Sequence, residues 1–254
     1  MSSVILTEKK QGIFYITLNR PEKRNALNGE SIQRLREIFQ AIAVDKTIIA
    51  VILRGIGEHF CAGGDIAWMK TMAESAWEEN YQDAFALADC LYQLHLLPMP
   101  TVALAQGMTL GGGMGLLSAC DMVIASREAV FGFPEIHIGL APSTISPYVV
   151  RAIGERAARH YFLTGERFSV VEAKTLGLIH HIVETADLFQ AAENWMQGWL
   201  KEGPDILREI KGLIQRVRLT EITPALSEMT AKHLATLRAE PKTQAKLQAF
   251  LQRK

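Results

Sequence analysis

Two short stretches carry residue types that can do chemistry, and both are built on glycine. In Met108–Asp121, "MTLGGGMGLLSACD", three glycines lead into an apolar run that reads as a helix, and a fourth, Gly115, lies one turn in. A Walker loop needs a lysine after its last glycine, but Met114 follows Gly113. A dinucleotide fingerprint counted from Gly111 needs glycine where Leu116 stands. What remains is a helix N-terminus with unpaired backbone N–H groups and partial positive charge, open to close approach because glycine has no side chain. Such an end suits an oxyanion. The stretch "HFCAGGDI", His59–Ile66, repeats the arrangement between an apolar strand and a helix. Two such loops could converge on one oxygen, which is how an oxyanion hole is built. The competing reading is two tight strand-to-helix turns with glycines for packing.

These loops need elements to hold them. "SVILTEKK" and "GIFYITLNRP" read as strands joined near Gly12, and "NRPEKRNAL" as a polar loop. Asn28 is placed to cap a helix whose Ile32, Leu35, Ile38, Phe39 and Ile42 share one face. "IIAVILRG" is short and apolar throughout, the pattern of a strand covered on both faces. A helix in one or two pieces follows the first glycine loop and ends at Pro98 and Pro100. "TVALAQG" and "DMVIAS" are strands flanking the glycine run, and "AVFGFPEIHIGLAPS" is a short strand plus loop. From Thr144 onward the chain reads as helices, with a brief strand near His181–Val183. The class is mixed α/β with a helical C-terminal part.

Composition narrows the partners. The 254 residues carry 27 Lys+Arg against 27 Asp+Glu, a net charge of zero, which gives no electrostatic footprint for nucleic acid or anionic lipid. Cys61, Cys90 and Cys120 have no metal spacing and read as reduced thiols. The N-terminus lacks the pattern of a signal peptide, and no apolar run approaches the ~20 residues of a membrane span. A cytoplasmic protein is the expectation. His180 and His181 are adjacent beside a strand and so face opposite sides, which disfavours joint metal binding. Asp121 reads as structural.

Four stretches, "NRPEKRNAL", "HFCAGGDI", "GMTLGGGMGLLSACDMVIAS" and "FGFPEIHIGLAP", resemble in order and spacing the enoyl-CoA hydratase/isomerase (crotonase) superfamily. The resemblance covers nearly the whole chain. It implies a spiral of β-β-α units over residues 1–200 with the CoA and active site, and a helical trimerisation region over 201–254. The substrate would be an acyl-CoA thioester, and the protein a homotrimer or dimer of trimers. CoA would enter as part of the substrate, and no metal or redox cofactor is implied. By position, Gly64 and Gly112 supply the oxyanion N–H groups and Glu135 moves the proton. The family's other glutamate position is Gly115 here, so the expectation is a space used by a substrate tail or a water. Lys23, Arg24, Ala62, Asp65 and Ile66 fall at CoA-binding positions, as do Phe250 and Arg253 near the C-terminus. His137 is a candidate to tune Glu135.

One glutamate serves either hydration or double-bond isomerisation. The segment Gly139–Phe168 resembles bacterial methylglutaconyl-CoA and carboxygeranoyl-CoA hydratases of leucine and terpenoid breakdown, which favours hydration. There, Ser143, Thr144 and Ser146 are placed either to hold the attacking water or to cap the following helix. An enoyl-CoA isomerase is the alternative enzyme. A non-catalytic CoA- or RNA-binding member is the alternative of another class.

Overall fold

The structure is a computed structural model that describes residues 3–252. Strands β1 (Ile5–Lys10) and β2 (Ile13–Leu18) precede helix α1 (Gly29–Ala43) and strand β3 (Ala50–Gly55). Helices α2 (Ile66–Ala73) and α3 (Trp77–Leu96) lead to β4 (Thr101–Ala105), β5 (Met108–Leu110) and α4 (Gly112–Ala119). Next come β6 (Met122–Ser126), β7 (Val130–Gly132), α5 (Ser146–Thr164), β8 (Arg167–Ser169), α6 (Val170–Thr175) and β9 (His181–Val183). Helices α7 (Leu188–Glu202), α8 (Pro204–Val217), α9 (Pro224–Ala239) and α10 (Pro241–Leu251) complete the order.

The larger sheet runs β1-β2-β3-β4-β6-β9, parallel except for the β1–β2 hairpin. Successive side chains on a strand point to opposite faces, so two apolar layers can sandwich it. In β2, Ile16 and Leu18 enter one apolar cluster while Ile13 and Tyr15 enter another. The same alternation divides Val51 and Leu53 from Ala50 and Ile52 in β3. Cover on both faces explains why "AVIL" is apolar without interruption. Residues of α1, α3, α4 and α5 fill the first cluster, and residues of α7 the second. Asn28 caps α1 as expected, accepting from the Ser31 N–H at 2.9 Å. Asp121 is structural: its carboxylate accepts from the Thr101 N–H at 2.8 Å and the Thr101 hydroxyl at 2.9 Å.

A second sheet, β5-β7-β8, has β5 and β7 parallel and β8 antiparallel to β7. Neither β5 nor β8 was legible as a separate strand: β5 follows β4 after only Gln106 and Gly107, and β8 lies in a stretch that reads as helix. The chain forms two compact units, and they divide within α8 after Arg208. The second unit holds the end of α8 with α9 and α10, and its Ile214, Leu219, Ile222, Leu234 and Leu247 are exposed. Among the described residues, no helix is long and apolar enough to cross a membrane.

Candidate active site

Three parallel segments lie side by side and deliver the candidate residues to one edge. β5 pairs with β7 so that Leu110 lies opposite Gly132. On the other flank Cys61 bridges Thr109, again in parallel, with Leu110 N–H donating to the Cys61 carbonyl at 3.0 Å. Each segment runs on a few residues further: β5 to Gly112, β7 to Glu135 and the Cys61 segment to Gly64. Ligands bind outside the carboxyl ends of parallel strands because the loops emerge there together.

The first loop aims one donor. Gly64 bridges Leu27, but the bonds are made by its neighbours: Leu27 N–H donates to the Gly63 carbonyl at 2.7 Å, and Asp65 N–H to the Leu27 carbonyl at 2.8 Å. The Gly64 N–H therefore points to the opposite side, and it donates to no group among the described residues. The second loop presents another. Gly111 stands at the N-cap of α4 with φ of 48°, a left-handed conformation suited to glycine, and no side chain caps the helix. The Gly112 N–H, first in the helix, likewise donates to no group among the described residues. The loops touch at their glycines: a β-carbon built on Gly63 would lie 3.3 Å from the Leu110 carbonyl oxygen, and one on Gly113 only 2.5 Å from that of Cys61.

Glu135 stands in a single-turn helix, Pro134–Ile138, which Pro134 starts. The preceding Phe133 is fully buried, packed edge-on against Phe162 with ring centroids 4.7 Å apart. The carboxylate lies over Gly111, where a β-carbon would be 3.1 Å from Oε1. Its Oε2 is buried and accepts no hydrogen bond among the described residues. Burial disfavours the charged form and pushes the Glu135 pKa above the ordinary glutamate value.

Lys23, Arg24, Ala62, Gly64, Asp65 and Ile66 line one cavity of about 410 Å³. The zipping of residues 24–27 onto the first glycine loop explains this, since Ala62 N–H donates to the Arg24 carbonyl at 3.0 Å. Arg167 at the start of β8 adds a third cation to the lining. It went unnoticed in the sequence because the stretch around it reads as helix, whereas it opens β8. The Asp65 carboxylate is occupied within the protein. Its Oδ2 pairs with Arg20 at 2.6 Å and its Oδ1 caps α2, and the Arg20 guanidinium holds its pKa below the usual range. Phe250 is exposed on α10, in the second unit, and Arg253 lies outside the described residues.

Other expectations need correction. Gly115 opens no space for a substrate tail or a water: a β-carbon there would lie 2.4 Å from Ile145 Cγ2 and 3.1 Å from Leu91 Cδ1. Ile145, at the entry to α5, fills that place. Ser143 and Ser146 turn their hydroxyls onto nearby carbonyls, Ala141 at 3.3 Å and Ser143 at 2.8 Å, the local bonding of a helix entry. The exposed His137 lies against Gly165. His180 accepts from the Val123 N–H at 3.0 Å through Nδ1, a structural bond. Among the described residues, no group of three or more His, Cys, Asp or Glu is placed to hold a metal ion.

Comparison with known proteins shows the family and the fold. The family profile for enoyl-CoA hydratase/isomerase matches residues 8–254. The short-chain-enoyl-CoA hydratase of Clostridium acetobutylicum is 31% identical over 229 residues, 89% of this chain and 86% of that protein. The enoyl-CoA isomerase/hydratase fer4 of Mycosarcoma maydis is 31% identical over 253 residues, 96% and 91% of the two chains. The solved structure of Pseudomonas aeruginosa AtuE superposes with a TM-score of 0.93 at 35% identity, covering 99% of this chain and 97% of that one.

Proposed function

The chain belongs to the enoyl-CoA hydratase/isomerase family, and from that premise we propose that it hydrates a 2-enoyl-CoA reversibly with one carboxylate, Glu135. Family membership makes it an enzyme of acyl-CoA thioesters with hydro-lyase chemistry. The observation that carries the proposal is the shared edge at which two unspent N–H groups, of Gly64 and Gly112, meet a half-buried carboxylate.

The thioester oxygen sits between the two N–H groups. Glu135 takes a proton from water as the oxygen of that water bonds to C3. The C2–C3 π electrons move toward the carbonyl and give an enolate, whose charge the two N–H groups and the α4 dipole stabilise. The same proton then passes from Glu135 to C2, so one carboxylate opens and closes the cycle. Lys23, Arg24 and Arg167 hold the CoA phosphates at the cavity mouth. Asp65 contributes by fixing the loop, since its carboxylate is bound to Arg20. In the finer reading the substrate is branched and carboxylated, of the methylglutaconyl-CoA type, as the "GLAPSTISPYVV" segment supports. The exposed apolar residues of α9 and α10 support assembly as a trimer or dimer of trimers. Sedimentation of a stable monomer at micromolar concentration overturns that assembly.

One observation favours a second reading, enoyl-CoA isomerisation. Ile145 occupies the place beside Gly115 where a second carboxylate would stand, leaving Glu135 to carry a proton between C2 and C4. A panel of 2-enoyl- and 3-enoyl-CoA thioesters separates the two. Loss of conjugated absorbance with a 3-hydroxyacyl-CoA product supports hydration. Gain of conjugation from 3-enoyl-CoA without added water supports isomerisation. Turnover of neither, with salt-dependent RNA binding, overturns both.

A further inference from the structure

Two side chains rest on glycines at the start of α4. Gly111 caps α4 and Gly115 closes its first turn, its N–H donating to the Gly111 carbonyl at 3.2 Å. Glu135 rests on the first and Ile145 on the second. Ile145 is 2% exposed, and its Cγ2 occupies the notch at Gly115. Both residues belong to one segment, which leaves β7, lays Glu135 on α4, loops out, and returns to α4 at Ile145 before α5 begins. The loop between them exposes Ile136, Ile138 and Leu140 (40%, 57% and 56%), and its backbone closes on itself through the Leu140 N–H, which donates to the Glu135 carbonyl at 3.0 Å.

Most buried polar groups are fixed in place by hydrogen bonds. Glu135 Oε2 is buried without one among the described residues. Its position then rests on packing and on the course of its backbone. On the upstream side Phe133 anchors that backbone against Phe162. On the downstream side the anchor is Ile145, seated on α4 at Gly115, one turn along from the Gly111 cap. We propose that Ile145 is a positioning residue for Glu135: its β-branch, locked in the Gly115 notch, pins to α4 the far end of the segment that carries the carboxylate. The inference rests on the reading of Glu135 as the proton carrier. Ile145 touches no reacting atom and acts only through Glu135.

The test uses shape rather than size. Ile145→Val keeps Cγ2, the atom in the notch, and loses only the terminal methyl. Ile145→Leu keeps the volume but moves the branch one carbon out, leaving the notch unfilled while the core stays apolar. The measurements are kcat and KM on the best thioester of the panel, with Tm as a control and Glu135→Gln assayed alongside. The expected result is a kcat lower by about tenfold or more in Ile145→Leu, since small misplacements of reacting groups are costly. KM stays within about twofold, and Ile145→Val retains parental kcat. Parental kcat in Ile145→Leu, or an equal loss in Ile145→Val, overturns the inference while Glu135→Gln is inactive. Parental activity in Glu135→Gln overturns the reading beneath it as well. If Ile145→Leu does not fold, Gly115→Ala decides. The added methyl displaces Ile145 from the notch, so kcat should fall while KM stays within about twofold. Parental kcat in folded Gly115→Ala overturns the inference.

Discussion

At the start of α2, Asp65 accepts from the Ala67 N–H at 2.9 Å and the Trp68 N–H at 3.4 Å, so that helix spends its first donors on its own cap. At the start of α4 the cap is Gly111, which has no side chain to accept anything. The two glycine loops read alike, yet one helix end is closed and the other open. The donor of the first loop is the strand-like amide of Gly64, set outside the helix and aimed by the bridge to Leu27. The donor of the second is the opening amide of the helix itself, backed by the dipole. The comparison teaches that a glycine loop before a helix does not by itself make a helix-end anion site. What decides is the residue at the cap.

The largest expected effect tests which loop hosts the proton chemistry. The Glu135 carboxylate lies over Gly111 of the second loop, and Glu135→Gln keeps its shape while removing its basicity. Turnover should fall by ~10²–10⁴ with little change in Tm, and a parental rate would move the chemistry elsewhere. Next come the donors. Gly112→Pro deletes an N–H at the first helical position, where proline is tolerated, and Gly64→Pro deletes the strand-like one. Each should lower kcat by ~10²–10³ in a protein whose circular dichroism matches the parent. If folded Gly112→Pro keeps its rate while Gly64→Pro loses it, the loops do not share an oxygen.

Asp65→Ala separates closing a helix from serving a substrate. It removes the cap of α2 and strands the Arg20 guanidinium, so stability should drop by about 2–5 kcal/mol, read as a lower Tm. Any fall in kcat should be smaller than that of the proline variants. The smallest effect is in pH. Glu135 must be ionised to accept a proton, and burial raises its pKa, so activity falls as pH drops through a midpoint above the ordinary 4.5. A midpoint at or below 4.5 in kcat/KM would show a carboxylate that water reaches freely.

Much of this was legible in residue order. The hairpin around Gly12, the Asn28 cap and the apolar β3 follow from local pattern, because each rule acts within a few residues. The family resemblance pointed to Gly64, Gly112 and Glu135, and the pairing of β5 with β7 explains how their segments come to lie side by side. Gly115 was half legible. A glycine inside a helix signals close approach, but nothing near it in the chain says what approaches. The partner, Ile145, is a tertiary contact from another element, and its side chain looks like any core residue. Arg167 escaped for the same reason: only the pairing of β8 with β7 brings it to the cavity.

The interlock of Gly115 with Ile145 also constrains the order in which this site can change over generations. A chain acquiring a glutamate at position 115 in one step would drive its first side-chain carbon to within 2.4 Å of Ile145 Cγ2. A chain that first shortened Ile145 would leave a void, costly but survivable, into which the carboxylate could later fit. Residues in contact couple in this way, so neither change has a fixed value apart from the other. The path from one carboxylate to two is therefore directional, and it passes through position 145 before position 115.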